Sequence, residues 1–286
     1  MVKILSGIPL AQQMKKDLQL KVQSLKKQKV TPTLATVIVG PDAASLTYAK
    51  NEQRQARALG INYQVHSLPK TTSQLSVVNL LEHLNNAAPI DAILLQLPLP
   101  QHLQLRPIIA AIDTCKDVDG LTNENVGRLW NGAQGNFPAT ARAVIALLKY
   151  YHIKVASKHI VILSRSEIVG KPLAAMLLKQ NATVTIAHSH TRNLAALTQR
   201  ADILIVAIGQ AQFITDEYLS PQTIVVDVGT NLDSTGKLVG DVDFQRAQNQ
   251  VSMLTPVPGG IGPVTVACLL EQVIKIAQKR VQINDR

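Results

Sequence analysis

The chain has 286 residues, 46% of them hydrophobic and only 3% aromatic. That is length for two domains and composition for packed aliphatic cores, which excludes a disordered chain or a small disulfide-stapled one. The net charge of +10 suits a solvated helical face or an anionic small-molecule partner, and with no aromatic-interleaved basic patch beside it a nucleic-acid partner is not expected.

Leu10, Met14, Leu18, Val22 and Leu25 recur at helical spacing and predict an amphipathic helix over 9–29. Six lysines, among them Lys15, Lys16 and Lys29, give its outer face part of the charge. Leu34–Val39 reads as a strand ending at Gly40-Pro41-Asp42, and a helix over 43–59 stops at Gly60. A strand over 62–66 and a helix over 75–85 follow. Ala92–Leu97 is a buried strand closed by Pro98-Leu99-Pro100, and it puts the amide of Gln96 at its carboxyl end, where a buried amide needs a backbone or ligand partner. After a helix over 107–113 comes a polar stretch, 116–136, with little periodicity; a loop of that length is usually functional. It contains Lys116-Asp-Val-Asp-Gly120. For Asp117 and Asp119 an Asx turn before Gly120 and a ligand contact are equally good readings, and two carboxylates without a His or Cys cluster do not specify a metal.

A helix over 139–151 opens a second series, with strands at 159–163, 182–186, 202–206 and 223–227 and helical runs between the first three. Thr255–Pro263 is rich in turn residues, and Val264–Lys279 is the last helix. The alternation predicts an α/β protein of two domains, the second a Rossmann-like, doubly wound parallel sheet with helices on both faces. The expected domains are 1–138 with 266–286, and 139–265. Two cysteines, Cys115 and Cys268, point to a reducing compartment, and no long apolar leader or membrane-length run stands out, so a cytoplasmic protein without membrane contact is expected.

Ile160–Pro172 is the most informative stretch. An apolar strand enters a small polar turn and then a helix, the arrangement whose amides hold a pyrophosphate, although Ser164 and Ser166 stand where glycines are common. The next strand ends Thr185-Ile-Ala-His-Ser189 with no acid for ribose hydroxyls, while Arg165 and Arg192 lie close by. A missing carboxylate beside guanidinium groups favours a 2′-phosphate, hence NADP. Gly209, and Gly229 with Thr230 in Asp227-Val-Gly-Thr-Asn231, sit at the carboxyl ends of strands, where such sheets bind ligands.

Gln-Leu-Pro-Leu-Pro at 96–100, Lys-Asp-Val-Asp-Gly at 116–120, Ser-Glu-Ile-Val-Gly-Lys-Pro at 166–172, Asp-Val-Gly-Thr-Asn at 227–231 and Thr-Pro-Val-Pro-Gly-Gly-Ile-Gly-Pro at 255–263 occur in one order. Together they resemble the bifunctional methylenetetrahydrofolate dehydrogenase/methenyltetrahydrofolate cyclohydrolase family, from about Leu5 to the last helix. The resemblance implies two α/β domains with a cleft between them and a homodimer. It implies NADP-dependent oxidation of methylenetetrahydrofolate, then hydrolysis of methenyltetrahydrofolate to formyltetrahydrofolate, in one-carbon metabolism. On it, residues 1–138 with 266–286 are the folate-binding catalytic domain, and 139–265 the NADP domain. Tyr48 and Gln96 match residues lining the folate cleft, Asp119 the aspartate that bonds the pterin, and Gly259, Gly260 and Pro263 the loop over the folate. Ser164, Arg165, Ser166, Ile168 and Ser189 match cofactor positions, with Arg165 and Ser189 near the 2′-phosphate.

The chain departs from the family at its catalytic lysine, four residues after the tyrosine, where Glu52 stands. Lys50 is no substitute, because i+4 shares the tyrosine's helix face and i+2 does not. The family's Pro-Cys-Thr-Pro is also Pro138-Ala-Thr-Ala141 here. Hydride transfer leaves no proton to remove, whereas water attack on the methenyl carbon needs general acid/base help. The expectation is a dehydrogenase with an impaired cyclohydrolase, and Glu52 as the group that can replace the lysine. Two alternatives are a relative that binds folate or NADP with little turnover, and a two-domain NADP oxidoreductase of another small molecule.

Overall fold

The computed structural model describes residues 2–41 and 43–284. Asp42, the expected end of the first turn, lies outside them. In chain order the elements are β1 (Lys3–Ile4), α1 (Ile8–Lys27), β2 (Thr33–Val39), α2 (Ala43–Leu59), β3 (Asn62–Leu68), α3 (Gln74–Asn86), β4 (Ala92–Leu95), α4 (Leu105–Ala110), α5 (Asn123–Trp130) and α6 (Ala139–Tyr150). There follow β5 (His159–Leu163), α7 (Gly170–Leu178), β6 (Thr183–Ala187), α8 (Leu194–Gln199), β7 (Ile203–Val206) and a 3₁₀ turn at Asp216–Tyr218. The chain ends with β8 (Ile224–Asp227), β9 (Asn231–Leu232), β10 (Leu238–Val239), α9 (Phe244–Ala247), β11 (Met253–Leu254) and α10 (Ile261–Asn284).

The chain divides into two compact units, Met14–Phe137 with Leu269–Arg286, and Met1–Gln13 with Pro138–Cys268. Residues 1–13 fall in the second because β1 pairs with β11, Lys3 opposite Met253.

The first unit holds a parallel sheet of order β3-β2-β4. Every residue of β2 is buried, as a central strand covered on both faces requires. α1 buries Leu18, Val22 and Leu25, the stripe its spacing predicts. Gly60, at φ +82°, ends α2 with Ile61 N–H donating to Ala56 O at 2.9 Å, the glycine C-terminal cap. The second unit holds a six-stranded, wholly parallel sheet of order β1-β11-β8-β7-β5-β6 and a small antiparallel pair, β9 and β10. Its core is aliphatic, built on Val161, Leu163, Leu204, Val206, Val225 and Leu254.

Three expectations change. The polar stretch 116–136 contains α5, whose short apolar set is masked by the polar residues around it. The last helix begins at Ile261, three residues early, which places Pro263 in its first turn, where a missing N–H costs no intrahelical bond. Ile261–Arg280 is also long and apolar enough to cross a membrane, yet 67% of that stretch is buried in the protein, as for a core helix.

Candidate active site and cofactor turn

α2 turns Glu52 inward, with only 2% of its surface exposed, and leaves Lys50 exposed. Tyr48, one turn earlier on Glu52's face, is half-buried. β3 runs parallel to β2 with Tyr63 opposite Leu34. From there the Tyr63 hydroxyl donates to Glu52 Oε2 at 2.8 Å. Burial pushes the Glu52 carboxyl up to about 7; the Tyr63 bond pulls the other way and the Asp119 charge adds to the rise. Burial likewise raises the Tyr48 phenol, followed by the charges of Glu52 and Asp119. Tyr48, Glu52 and Asp119 therefore feel one another electrostatically, and a buried carboxyl here holds or gives up its proton near neutrality.

The 116–120 motif separates scaffold from site. Lys116 Nζ donates to Leu84 O at 3.2 Å, Asn85 O at 2.6 Å and Ala87 O at 3.1 Å, closing the carboxyl end of α3. Asp117 is buried. Its Oδ2 accepts from Thr122 N–H at 2.8 Å and Asn125 Nδ2 at 3.0 Å, and its carbonyl from Asn136 Nδ2 at 2.8 Å. Asn136 Oδ1 in turn accepts from Gln272 Nε2 at 2.6 Å. Gly120 sits at φ +64° against the Asn136 carbonyl, with no room for a Cβ. Asp117 is thus structural, and Asp119, half-buried, is the motif's second carboxylate presented two residues on. Gln96 follows β4, fixed by its N–H donating to Val37 O at 2.9 Å. Its side chain is half-exposed rather than buried; the strand stops at Leu95, so the amide is left at the sheet's carboxyl edge.

In the second unit the turn after β5 is built by serines. Ser164 is buried, and its hydroxyl donates to Ser166 Oγ at 3.2 Å. Ser166 Oγ accepts from Val169 N–H at 3.1 Å and Gly170 N–H at 3.3 Å. A Cβ on Gly170 would run into the Ser164 carbonyl, so the helix start needs glycine. Arg165 is exposed and Ile168 half-buried. Leu163 pairs with Ala187, so Arg165 and Ser189 each stand two residues beyond adjacent strand ends. Ser189 and Arg192 are exposed. No carboxylate follows β6 before Arg192, so the cradle fits a phosphate-bearing dinucleotide.

Two buried carboxylates shape the neighbouring loops. Asp227 accepts from Gly229 N–H at 2.9 Å, Asp241 N–H at 3.1 Å and Val242 N–H at 2.9 Å. Burial nevertheless pushes it up to about 7, against those bonds and with the Asp241 charge adding. Asp241 accepts from the N–H groups of Ile208 at 2.7 Å, Gly209 at 3.1 Å and Gln210 at 2.9 Å, and from Asn231 Nδ2 at 2.8 Å. This lock fixes Gly209, at φ +66°, and leaves Thr230 exposed. Between β11 and α10, Gly259 O accepts from Gly7 N–H at 2.8 Å, and the Gly260 carbonyl lies where a Cβ on Gly7 would stand. Gly260 is buried, and Gly259 and Pro263 are half-buried.

Sequence reasoning missed Tyr63 and Asp241. The signal for Tyr63 was an aromatic residue in a chain with only five tyrosines, on a strand beside the tyrosine-bearing helix. Asp241 carried no local signal, since its partners lie up to 33 residues away.

Residues 5–119 match the family model of the tetrahydrofolate dehydrogenase/cyclohydrolase catalytic domain, and residues 138–281 that of the tetrahydrofolate dehydrogenase/cyclohydrolase NAD(P)-binding domain. The bifunctional protein FolD of Lactobacillus acidophilus is 45% identical over 98% of this chain and 99% of its own length. The crystal structure of the bifunctional FolD dehydrogenase/cyclohydrolase of Campylobacter jejuni superposes with a TM-score of 0.94 at 40% identity, covering 98% of this chain and 100% of that one. The Trypanosoma brucei enzyme, solved with NADP and an inhibitor, gives 0.93 at 33% identity, covering 98% of each.

Proposed function

The chain belongs to the tetrahydrofolate dehydrogenase/cyclohydrolase family, and from that premise we propose how its own residues divide the work. It oxidises methylenetetrahydrofolate to methenyltetrahydrofolate with NADP and hydrolyses the product to formyltetrahydrofolate. Glu52 serves the second step in place of the family's lysine. The observation that carries this is the buried Glu52 carboxyl, raised to about 7 and held by the Tyr63 hydroxyl. A group that titrates near the working pH is suited to take a proton and return it.

Tyr48, Gln96 and Asp119 take the folate, with the Gln96 side-chain amide and the Asp119 carboxylate on the pterin. Gly259, Gly260 and Pro263 form the loop over it. Ser164, Ser166 and Ile168 hold the dinucleotide's phosphate region, Gly209 and Thr230 line its path, and Arg165, Ser189 and Arg192 take the 2′-phosphate. NADP, when bound, supplies the hydride acceptor. The residues' part in that first step is to orient and to place negative charge, Glu52 and Asp119, beside a carbon that becomes cationic. In the second step ionised Glu52 accepts a proton from the water attacking the methenyl carbon. The protonated carboxyl returns it to the ring nitrogen as its bond to that carbon breaks, and the carbinol hydroxyl gives its own proton to the freed carboxylate as the formyl C=O forms, that net proton then passing to solvent. Tyr63 positions the Glu52 carboxylate in both directions.

The test follows NADPH and methenyltetrahydrofolate together after mixing the purified protein with methylenetetrahydrofolate and NADP. The wild type should form NADPH without methenyl build-up. Glu52→Gln should keep NADPH formation within about tenfold and slow hydrolysis by about 10²–10⁴-fold, so that methenyl accumulates. Equal hydrolysis by both proteins would remove Glu52 from the reaction. Ligand binding with neither product would favour a binding relative instead. The reading includes a cytoplasmic homodimer, for which light scattering should give twice 31.0 kDa.

A further inference from the structure

A cavity lies at the edge of the small sheet opposite the one that carries Gln96. Its volume is ≈ 680 Å³, within the range of small-molecule sites. Ile90 and Asp91, which line it, precede β4, whereas Gln96 follows it. The strand rise of about 3.3 Å per residue puts some 16 Å between the two ends. The cavity shares no residue with the folate or cofactor positions, and all its lining belongs to one unit.

Its charges do not cancel. Arg280 Nε lies 3.1 Å from Asp91 Oδ1, and Asp91 Oδ2 also accepts from Thr33 N–H at 2.9 Å, so that carboxylate is spent. Arg128 is paired with Glu124. Lys116 is tied to three carbonyls, with Asp113 and Asp91 in electrostatic reach. Lys29 and Lys279 also line the cavity and have no carboxylate partner among the described residues. Val30, Ala88, Ile90 and Ile276 give it an apolar floor.

Lys29 is held at the rim by the end of α1. It sits at φ +59°, just past α1, where Val30 N–H donates to Leu25 O at 3.0 Å. Glycine or asparagine is favoured at such a helix end and a lysine is strained.

We propose that this cavity binds a small organic anion, with its carboxylate or phosphate groups on the Lys29 and Lys279 ammoniums and its body on the apolar floor. The site is independent of the reading of Glu52. The test is calorimetric titration with citrate, and separately with phenyl phosphate, of the full chain kept in saturating NADP so that the phosphate turn is occupied. The wild type should bind at least one of them, and which one reports whether carboxylate or phosphate is preferred. Lys29→Gly, which relieves the strained backbone while removing the ammonium, combined with Lys279→Ala, should weaken that binding at least tenfold and leave NADPH formation unchanged. No binding of either anion by the wild type would overturn the proposal. So would binding that survives the double substitution.

Discussion

Glu52 and Tyr63 act as one unit, and each can be tested through the other. The Tyr63 hydroxyl lowers the Glu52 pKa that burial raises, so Tyr63→Phe should move the limb of the cyclohydrolase pH profile assigned to Glu52 to higher pH. A steady-state profile of hydrolysis between pH 5 and 9 checks this; an unmoved limb would show that another group titrates there. The same carboxyl bears on stability. Its folded-state value of about 7 lies above its ordinary 4.5, so the native state holds the proton more tightly than the unfolded chain. Its contribution is complete below about 4.5 and is lost as pH rises to about 7. Glu52→Gln should therefore be near neutral at pH 4.5 and stabilising above pH 7, by on the order of 3 kcal/mol for a shift of some 2.5 units, read from urea midpoints at both pH values. The Tyr48–Glu52 face was legible because i and i+4 share a side whatever surrounds the helix. Tyr63 was not, because its place beside Glu52 depends on β3 pairing with β2, a contact between strands that no local pattern encodes.

At the scale of elements, the β5–α7 turn shows a motif keeping its shape with changed residues. The Ser166 hydroxyl caps the helix start, and Gly170 stays because the Ser164 carbonyl fills the space beside it. Gly170→Ala should cost about 3 kcal/mol, the upper end of ordinary overpacking. Thermal unfolding with and without NADP checks it, since a displaced turn should also lose the stabilisation the dinucleotide gives. The parallel strands were readable from their apolar runs, and β5 and β8 lie within a residue of expectation. α5 was hidden because only eight residues carry it, and its anchor, buried Asn125, is polar. β1 and β11, two residues each, are too short to show periodicity.

At the scale of the molecule, two domains were legible from two βα series. What was less legible is how the ends of the chain are shared. Leu269–Arg286 gives the first unit buried Val273, Ile274 and Ala277, the Gln272–Asn136 bond and the Arg280–Asp91 pair. Truncation after Cys268 should therefore unfold that unit, with loss of amide protection in β2, β3 and β4 by hydrogen exchange. Retained protection in β2 would show that the terminal segment is dispensable.

This sharing has a consequence while the chain is being made. Domains generally fold as units as they leave the ribosome, the amino-terminal one first. Here neither can. Lys3 must wait for its partner Met253, and β2 belongs to a unit completed by buried Val273, Ile274 and Ala277, far downstream in the chain. The nascent polypeptide therefore carries unfinished apolar surface for most of its synthesis. Slow or paused translation is the condition under which it is most exposed to aggregation and most in need of a holding chaperone.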